Sequence, residues 1–198
     1  MSHLKQDPEA VLYAFSVIAE DASLLCRLLI EEAGCDGIYY CVQNAEKFRF
    51  TYEEYRKYVT PGDLAVLTAA NKYSENNILH CCGWAGKKNR IEVWKDYPAK
   101  VINWAVYIEE MGLKEGKKFF GGRCVLGGFD NRPGGVLCSG TREEVEAFTR
   151  KWLEENNENG MMIGADCTLP AETDPDRIVW VMETVKKYRR VYNEQKKN

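Results

Sequence analysis

The chain lacks the long apolar runs and the one-sided charge that mark several classes of protein. No stretch approaches membrane-spanning length, and the amino terminus, Met1-Ser2-His3-Leu4, has no apolar signal core. The 27 basic and 30 acidic residues are interspersed and give a net charge of −3, without the concentrated basic face that nucleic-acid binding needs. We therefore expect a cytoplasmic protein with neither membrane nor nucleic acid as a partner.

Histidine is scarce in this sequence, whereas cysteine is not. The 198 residues include two histidines and eight cysteines. Because no secretory signal is apparent and several cysteines lie in apolar patterns, we expect reduced thiols that serve packing or metal binding. Five of them are predicted to be small buried residues: Cys26, Cys35, Cys41, Cys124 and Cys138.

Short apolar runs alternate with helical segments along the whole chain. Strands are predicted within residues 37–42, 77–83, 100–106, 122–128 and 161–167. The main helices begin at Asp7-Pro8, Asp174-Pro175 and the capping boxes Thr51–Glu54 and Thr141–Glu144, with a weaker helical segment at 88–94 and a short helix or turn at 109–118. This alternation predicts an α/β protein with a parallel sheet, as a single domain over residues 1–198.

His80 and Cys82 end the second predicted strand. Side chains alternate along a strand, so these two share one face while Cys81 takes the other. Cys167 stands at the tip of the fifth predicted strand. One imidazole and two thiolates leave a tetrahedral Zn²⁺ with one open position, which is typical of a catalytic site. The residues by themselves leave open a hydrogen-bonded core histidine with packing cysteines.

Other strand exits provide candidate substrate-binding residues. They are Tyr40, Gln43, Asn103, Asp130 and Arg132. Asp130 is equally consistent with a turn, and Tyr40 with the core. The glycine pairs around the fourth strand lack a Gly-x-Gly-x-x-Gly or Walker pattern, so they are predicted to serve tight turns and close backbone approach.

Four segments, in this order, resemble the carboxyl-terminal part of the uroporphyrinogen decarboxylase superfamily: Ala33–Ile38, Ile78–Gly83, Gly127–Asp130 and Gly164–Cys167. Members of that superfamily are (β/α)₈ barrels. The resemblance implies a partial (β/α)₈ TIM-type barrel of about five parallel strands, lacking the first three. Since such a sheet leaves its edges unpaired, three alternatives stay open: completion by a second chain, self-association as a homo-oligomer, and a truncated gene product.

Within the superfamily, His-x-Cys followed much later by Cys is similar to the corrinoid-dependent (methylcobalamin:coenzyme M) methyltransferase branch. This resemblance implies that His80, Cys82 and Cys167 bind zinc. It also implies that a methyl group moves from a corrinoid on a partner protein to a small thiol substrate. Two alternatives stay open: a uroporphyrinogen decarboxylase-like enzyme without zinc, and a non-catalytic truncated barrel fragment or assembly subunit.

Overall fold

Five short strands form one parallel sheet in chain order. The computed structural model describes residues 2–195; Met1 and residues 196–198, which the predicted domain also includes, lie outside it. The strands are β1 (Tyr39–Val42), β2 (Ile78–Cys81), β3 (Val101–Trp104), β4 (Cys124–Phe129) and β5 (Met161–Ala165). They pair in the order β1-β2-β3-β4-β5. The predicted α/β class, with five parallel strands as in part of a TIM-type barrel, is confirmed.

Helices connect successive strands and cover one face of the sheet. They are α1 (Ser2–Gln6), α2 (Pro8–Arg27), α3 (Tyr52–Tyr58), α4 (Thr60–Asn71), α5 (Val106–Glu109), α6 (Leu113–Phe119), α7 (Val136–Ser139), α8 (Arg142–Glu155) and α9 (Asp176–Gln195). A π-helical turn (Leu28–Glu32) extends α2, and a 3₁₀ turn covers Ile91–Trp94. None of the helices within residues 2–195 is both long and apolar enough to cross a membrane.

The predicted helix starts are confirmed by their hydrogen bonds. Asp7 accepts a bond from the Ala10 N–H at 3.0 Å, with Pro8 in the first helical turn. Thr51 Oγ1 accepts from the Glu54 N–H at 3.1 Å, and Glu54 accepts in return from the Thr51 N–H at 2.8 Å. These capping bonds satisfy backbone N–H groups that the first turn of a helix leaves without a partner inside the helix, and they do so with residues three positions apart.

The weaker helical prediction for residues 88–94 was wrong in part. Residues 88–90 pair instead with the segment after β1, where Glu46 and Asn89 form an antiparallel bridge and the Arg90 N–H donates to the Ala45 carbonyl. Tertiary pairing thus overrides the helical pattern at these three residues. The short helix or turn predicted for 109–118 contains both elements, because Glu110 adopts a left-handed conformation (φ 52°) that ends α5, and α6 begins at Leu113.

The two faces of the sheet differ in burial. On the outer face, under the helices, Leu79, Ile102 and Val125 are fully buried. The inner face carries the alternate residues, and there Tyr39 is 51% and Met162 43% exposed. The apolar core therefore lies between the sheet and its helices, while the inner face is open to solvent at its edges.

The sheet is strongly curled. In a flat sheet, three strand spacings of about 4.8 Å would separate β2 from β5 by about 14 Å. Cys82 follows β2 and Cys167 follows β5, yet their sulfur atoms lie 3.7 Å apart. Such an approach requires the curvature of a barrel wall.

Candidate metal centre at the carboxyl end of the sheet

Four side chains form a cluster at the carboxyl ends of β1, β2 and β5; we call Cys41, His80, Cys82 and Cys167 the thiol–imidazole cluster. Cys41 and His80 are partners in the register of β1 and β2. The ligand atoms of Cys41, His80 and Cys82 all lie within 4.8 Å of one another. Cys167 Sγ lies 3.3 Å from His80 Nε2 and 3.7 Å from Cys82 Sγ. The structure thus brings together the three sequence-predicted ligands and adds Cys41.

The spacing of these atoms fits a tetrahedral zinc ion. With Zn–S bonds of about 2.3 Å and Zn–N bonds of about 2.0 Å, tetrahedral angles give S···S edges of about 3.8 Å and S···N edges of about 3.6 Å. The measured values, 3.7 Å between Cys82 and Cys167 and 3.3 Å between Cys167 and His80, are close to these. Thiolate and imidazole are also the donors that zinc prefers.

Asn103 on β3 sets the orientation of the imidazole. Its Nδ2 donates to the carbonyls of Leu126 (2.9 Å) and Ala165 (3.1 Å), so its Oδ1 must face the other way. That oxygen accepts from the Tyr39 hydroxyl at 2.6 Å and lies against His80 Nδ1. The Nδ1 position therefore carries the proton, and Nε2 presents its lone pair to the cysteines, as a metal-binding histidine requires.

The cluster is buried on one side and open on the other. His80 is 4% and Cys82 7% exposed, whereas Cys167 is half-buried and Cys41 is exposed. The Tyr39 ring stacks on the imidazole with centroids 5.4 Å apart. A ligand can therefore reach the sulfur atoms from the inner face without displacing the core.

The thiols perturb one another's acidity. Contact with Cys82 raises the pKa of Cys167 to about 12. Contact with Cys167 acts to lower the pKa of Cys82, but contact with Cys41 and burial together outweigh it and leave that pKa raised. Contact with Cys82 lowers the pKa of Cys41. Crowded thiols of this kind resist joint deprotonation, and a divalent cation among them would reverse that preference.

Asp166, the neighbour of Cys167, is a buried carboxyl group rather than a member of the cluster. Its Oδ1 accepts from the Gly128 N–H at 2.8 Å. Burial raises its pKa to about 7, although the Gly128 N–H acts in the opposite direction.

A Cβ on Gly128 (φ 112°) would lie 2.2 Å from Trp152 Nε1. The predicted role of the Gly127-Gly128 pair in close backbone approach is confirmed.

Two of the predicted substrate-binding residues follow or belong to β1. Tyr40 points to the outer face, away from the thiol–imidazole cluster, and its hydroxyl lies 3.4 Å from Asp63 Oδ1. Gln43 is exposed beyond the strand end, and its carbonyl accepts from the Tyr55 hydroxyl at 3.1 Å. Substrate contact by either residue stays a prediction.

The other predicted substrate-binding residues belong to β3 and to the loop after β4. Asn103 is fully buried and its amide is used within the protein as described above. Arg132 donates to both carboxylate oxygens of Asp130 over 2.6–3.0 Å, which lowers the pKa of Asp130. The pair lies beyond the carboxyl end of β4, at the same edge as the cluster. Its contact with substrate also stays a prediction.

Cys41 is the site residue that the sequence pattern missed. It was predicted to be buried, as was Cys35, and both are exposed, whereas Cys26 is buried as expected. Cys41 is exposed because β1 is an edge strand and the residue faces inward. The available signal was its place near a strand end; its pairing with His80 depends on strand register, which the sequence does not reveal.

The curled parallel sheet defines an α/β protein built as part of a (β/α) barrel, with thiol and imidazole side chains clustered at the carboxyl ends of the strands. A family model described as uroporphyrinogen decarboxylase (URO-D) matches residues 1–188. The chain therefore belongs to the uroporphyrinogen decarboxylase family. No curated protein gives a significant match to it.

Proposed function

We propose that the protein is a zinc-dependent methyltransferase-like member of its family, which moves a methyl group from a corrinoid on a partner protein to a small thiol. One observation supports this most strongly. His80, Cys82 and Cys167, separated by up to 87 residues, converge at the spacing of a tetrahedral metal site.

Each residue near the site would have a distinct task. Zinc, when bound, would favour the thiolate form of a thiol substrate at neutral pH. His80, Cys82 and Cys167 would hold the ion, and two thiolates with one neutral imidazole balance its charge. Asn103 and Tyr39 would keep the imidazole in the required tautomer and orientation.

The open inner face supports the proposed pair of substrates. The exposed side chains of Tyr39 and Met162 border a surface with no covering layer among residues 2–195. A thiol could reach the cluster from this side, and a methyl donor carried by a second protein could approach the same surface. Alignment of both at one point is the positioning that group transfer needs.

The first experiment is metal analysis of the protein purified with a non-thiol reductant. We expect about one equivalent of zinc per chain in the wild type, because three strong ligands converge. Cys82→Ser and Cys167→Ser should each retain less than about a tenth of that zinc. Cys35→Ser, which alters an exposed cysteine outside the cluster, is the matched control.

The second experiment combines methylcobalamin with 2-mercaptoethanesulfonate and follows the corrinoid spectrum and the methyl thioether by mass spectrometry. The zinc-loaded wild type should form the thioether, and the Cys82→Ser variant should not. Zinc binding without transfer would reject this donor and acceptor pair. A zinc-free protein that decarboxylates a uroporphyrinogen would support the decarboxylase alternative instead, and an inactive, zinc-free monomer the non-catalytic one.

A further inference from the structure

A zinc site made of His80, Cys82 and Cys167 gives Cys41 no role. It nevertheless faces the metal-binding side chains from β1, as the register partner of His80. We propose that Cys41 is a fourth protein ligand, completing a Cys₃His site, and that it is the ligand an entering thiol replaces. This inference rests on the proposed zinc site and adds a residue to it.

The sulfur of Cys41 lies beside two of the three proposed ligands. It is within 4.8 Å of Cys82 Sγ and of a ring nitrogen of His80. Since the edges of a tetrahedral site measure about 3.6–3.8 Å, each of these two separations is at most about 1.2 Å longer than in a bound site. The inner-face residue on the other side of His80 is Asn103, whose amide is already committed to hydrogen bonds.

Accessibility separates Cys41 from the other three ligands. His80 on β2 and Cys82, which follows it, are buried, and Cys167 is half-buried. Cys41 is exposed and belongs to β1, which stands at the edge of the sheet. A side chain at the solvent boundary can rotate away without opening the core, so Cys41 is the ligand that can leave at the lowest cost.

The exchange balances without a further reactant. The bond between the metal and the Cys41 sulfur breaks, and a bond to the sulfur of the entering thiol forms. The proton of the entering thiol passes to Cys41, which leaves as a neutral thiol. One thiolate replaces another, so the number of sulfur ligands and the charge of the site stay the same.

The test is the sulfur count around zinc, measured by X-ray absorption with a non-thiol reductant present. We expect three sulfurs and one nitrogen in the wild type and in the control Cys35→Ala, and two sulfurs in Cys41→Ala. On addition of 2-mercaptoethanesulfonate, the wild type should stay at three and Cys41→Ala should rise to three. In the cobalt-substituted protein, Cys41→Ala should lose about a third of the thiolate charge-transfer absorption.

The outcomes distinguish the two proposals. Two sulfurs in the wild type, unchanged in Cys41→Ala, would overturn the role of Cys41 and leave the three-ligand zinc site intact. A wild-type count that rises from three to four with added thiol would show that Cys41 stays bound, and would overturn the replacement. Absence of zinc from the wild type would overturn both proposals. Cys41→Ser, checked by circular dichroism, provides a second variant should the alanine variant fold poorly.

Discussion

Two polar clusters lie back to back across the sheet, and neighbouring residues of β1 belong to different ones. Cys41 faces inward to the thiol–imidazole cluster. Tyr40 faces outward to a group that we call the carboxyl–tyrosine cluster, in which the hydroxyls of Tyr40, Tyr55 and Tyr97 surround Asp63.

The carboxyl–tyrosine cluster satisfies its own hydrogen bonds. Asp63 Oδ2 accepts from the hydroxyls of Tyr55 at 3.2 Å and Tyr97 at 2.9 Å, and Oδ1 faces that of Tyr40. Trp94 Nε1 donates in turn to the Tyr55 hydroxyl at 3.0 Å. Burial raises the pKa of Asp63 to about 6, although these hydroxyls lower it. Both oxygens of Asp63 thus lie within hydrogen-bond distance of tyrosine hydroxyls, and the network stabilises the packing of α4 on the sheet.

The thiol–imidazole cluster has the opposite character. Asn103 Oδ1 accepts a hydrogen bond from the proton on His80 Nδ1, which leaves the lone pair of Nε2 free. That lone pair faces the cysteine sulfur atoms. A buried polar cluster whose hydrogen-bond partners all lie within the protein is expected to stabilise the fold. A cluster whose lone pairs converge at an accessible surface is expected to bind a ligand. Four substitutions, from the largest expected effect to the smallest, test that distinction.

Cys167→Ser should separate ligand binding from stability most completely. The variant should lose more than about nine-tenths of its zinc, because a hydroxyl is a poor replacement for a thiolate. The metal-free variant should unfold within about 0.5 kcal/mol of the metal-free wild type, since the half-buried side chain changes little in size. Zinc analysis and urea unfolding measure the two effects. A large loss of apo-protein stability would show that the cluster also supports the fold.

Asn103→Leu should weaken zinc binding without removing a ligand. His80 Nδ1 would lose its hydrogen-bond acceptor. We expect the affinity for zinc to fall by roughly ten- to hundredfold, as is typical when the hydrogen-bond partner of a metal-binding histidine is removed. Competition with a chromophoric chelator measures it. Tyr39→Phe, which leaves the Asn103 amide in place, should have a smaller effect. Equal affinities for wild type and Asn103→Leu would reject the orienting role.

Tyr97→Phe should affect stability alone. It removes a buried hydroxyl bonded to Asp63 and Thr60, and we expect the free energy of unfolding to fall by about 2 kcal/mol. Zinc content should remain that of the wild type. Tyr107→Phe removes a longer bond at a more exposed site and should cost less. Loss of zinc in Tyr97→Phe would show that the two clusters are coupled.

Asp63→Asn should change the pH dependence of stability. Burial raises the pKa of Asp63 from its usual 3.8 to about 6 in the folded protein. Its stabilising contribution is therefore complete below pH 3.8 and is lost as the pH rises through 6. Between about pH 5 and pH 8 this removes about 1 kcal/mol from the wild type, and the variant should lack that loss.

Urea unfolding of both metal-free proteins at the two pH values measures the difference. Asp166, whose pKa is raised to about 7 by burial, adds a loss of the same sign to both proteins. The difference between wild type and variant therefore isolates Asp63. Identical pH dependence in the two proteins would contradict the assignment.

Local signals predicted much of this protein. The caps at Asp7 and Thr51 depend only on residues a few positions apart, and both are formed as expected. The apolar runs located all five strands, whose outer-face residues such as Leu79, Ile102 and Val125 are buried under the helices. By contrast, the division of segment 109–118 depends on the left-handed Glu110, for which the sequence offered no glycine as a signal.

By itself, the sequence determined the order of the elements, the parallel sheet and the shared face of His80 and Cys82, since helix caps and strand alternation act over a few residues. Only the tertiary structure decided that Cys41 lies opposite His80, that Asn103 orients the imidazole and that Cys167 meets Cys82. These contacts depend on strand register and on the curl of the sheet. Both arise from packing across the whole molecule, which no local pattern encodes.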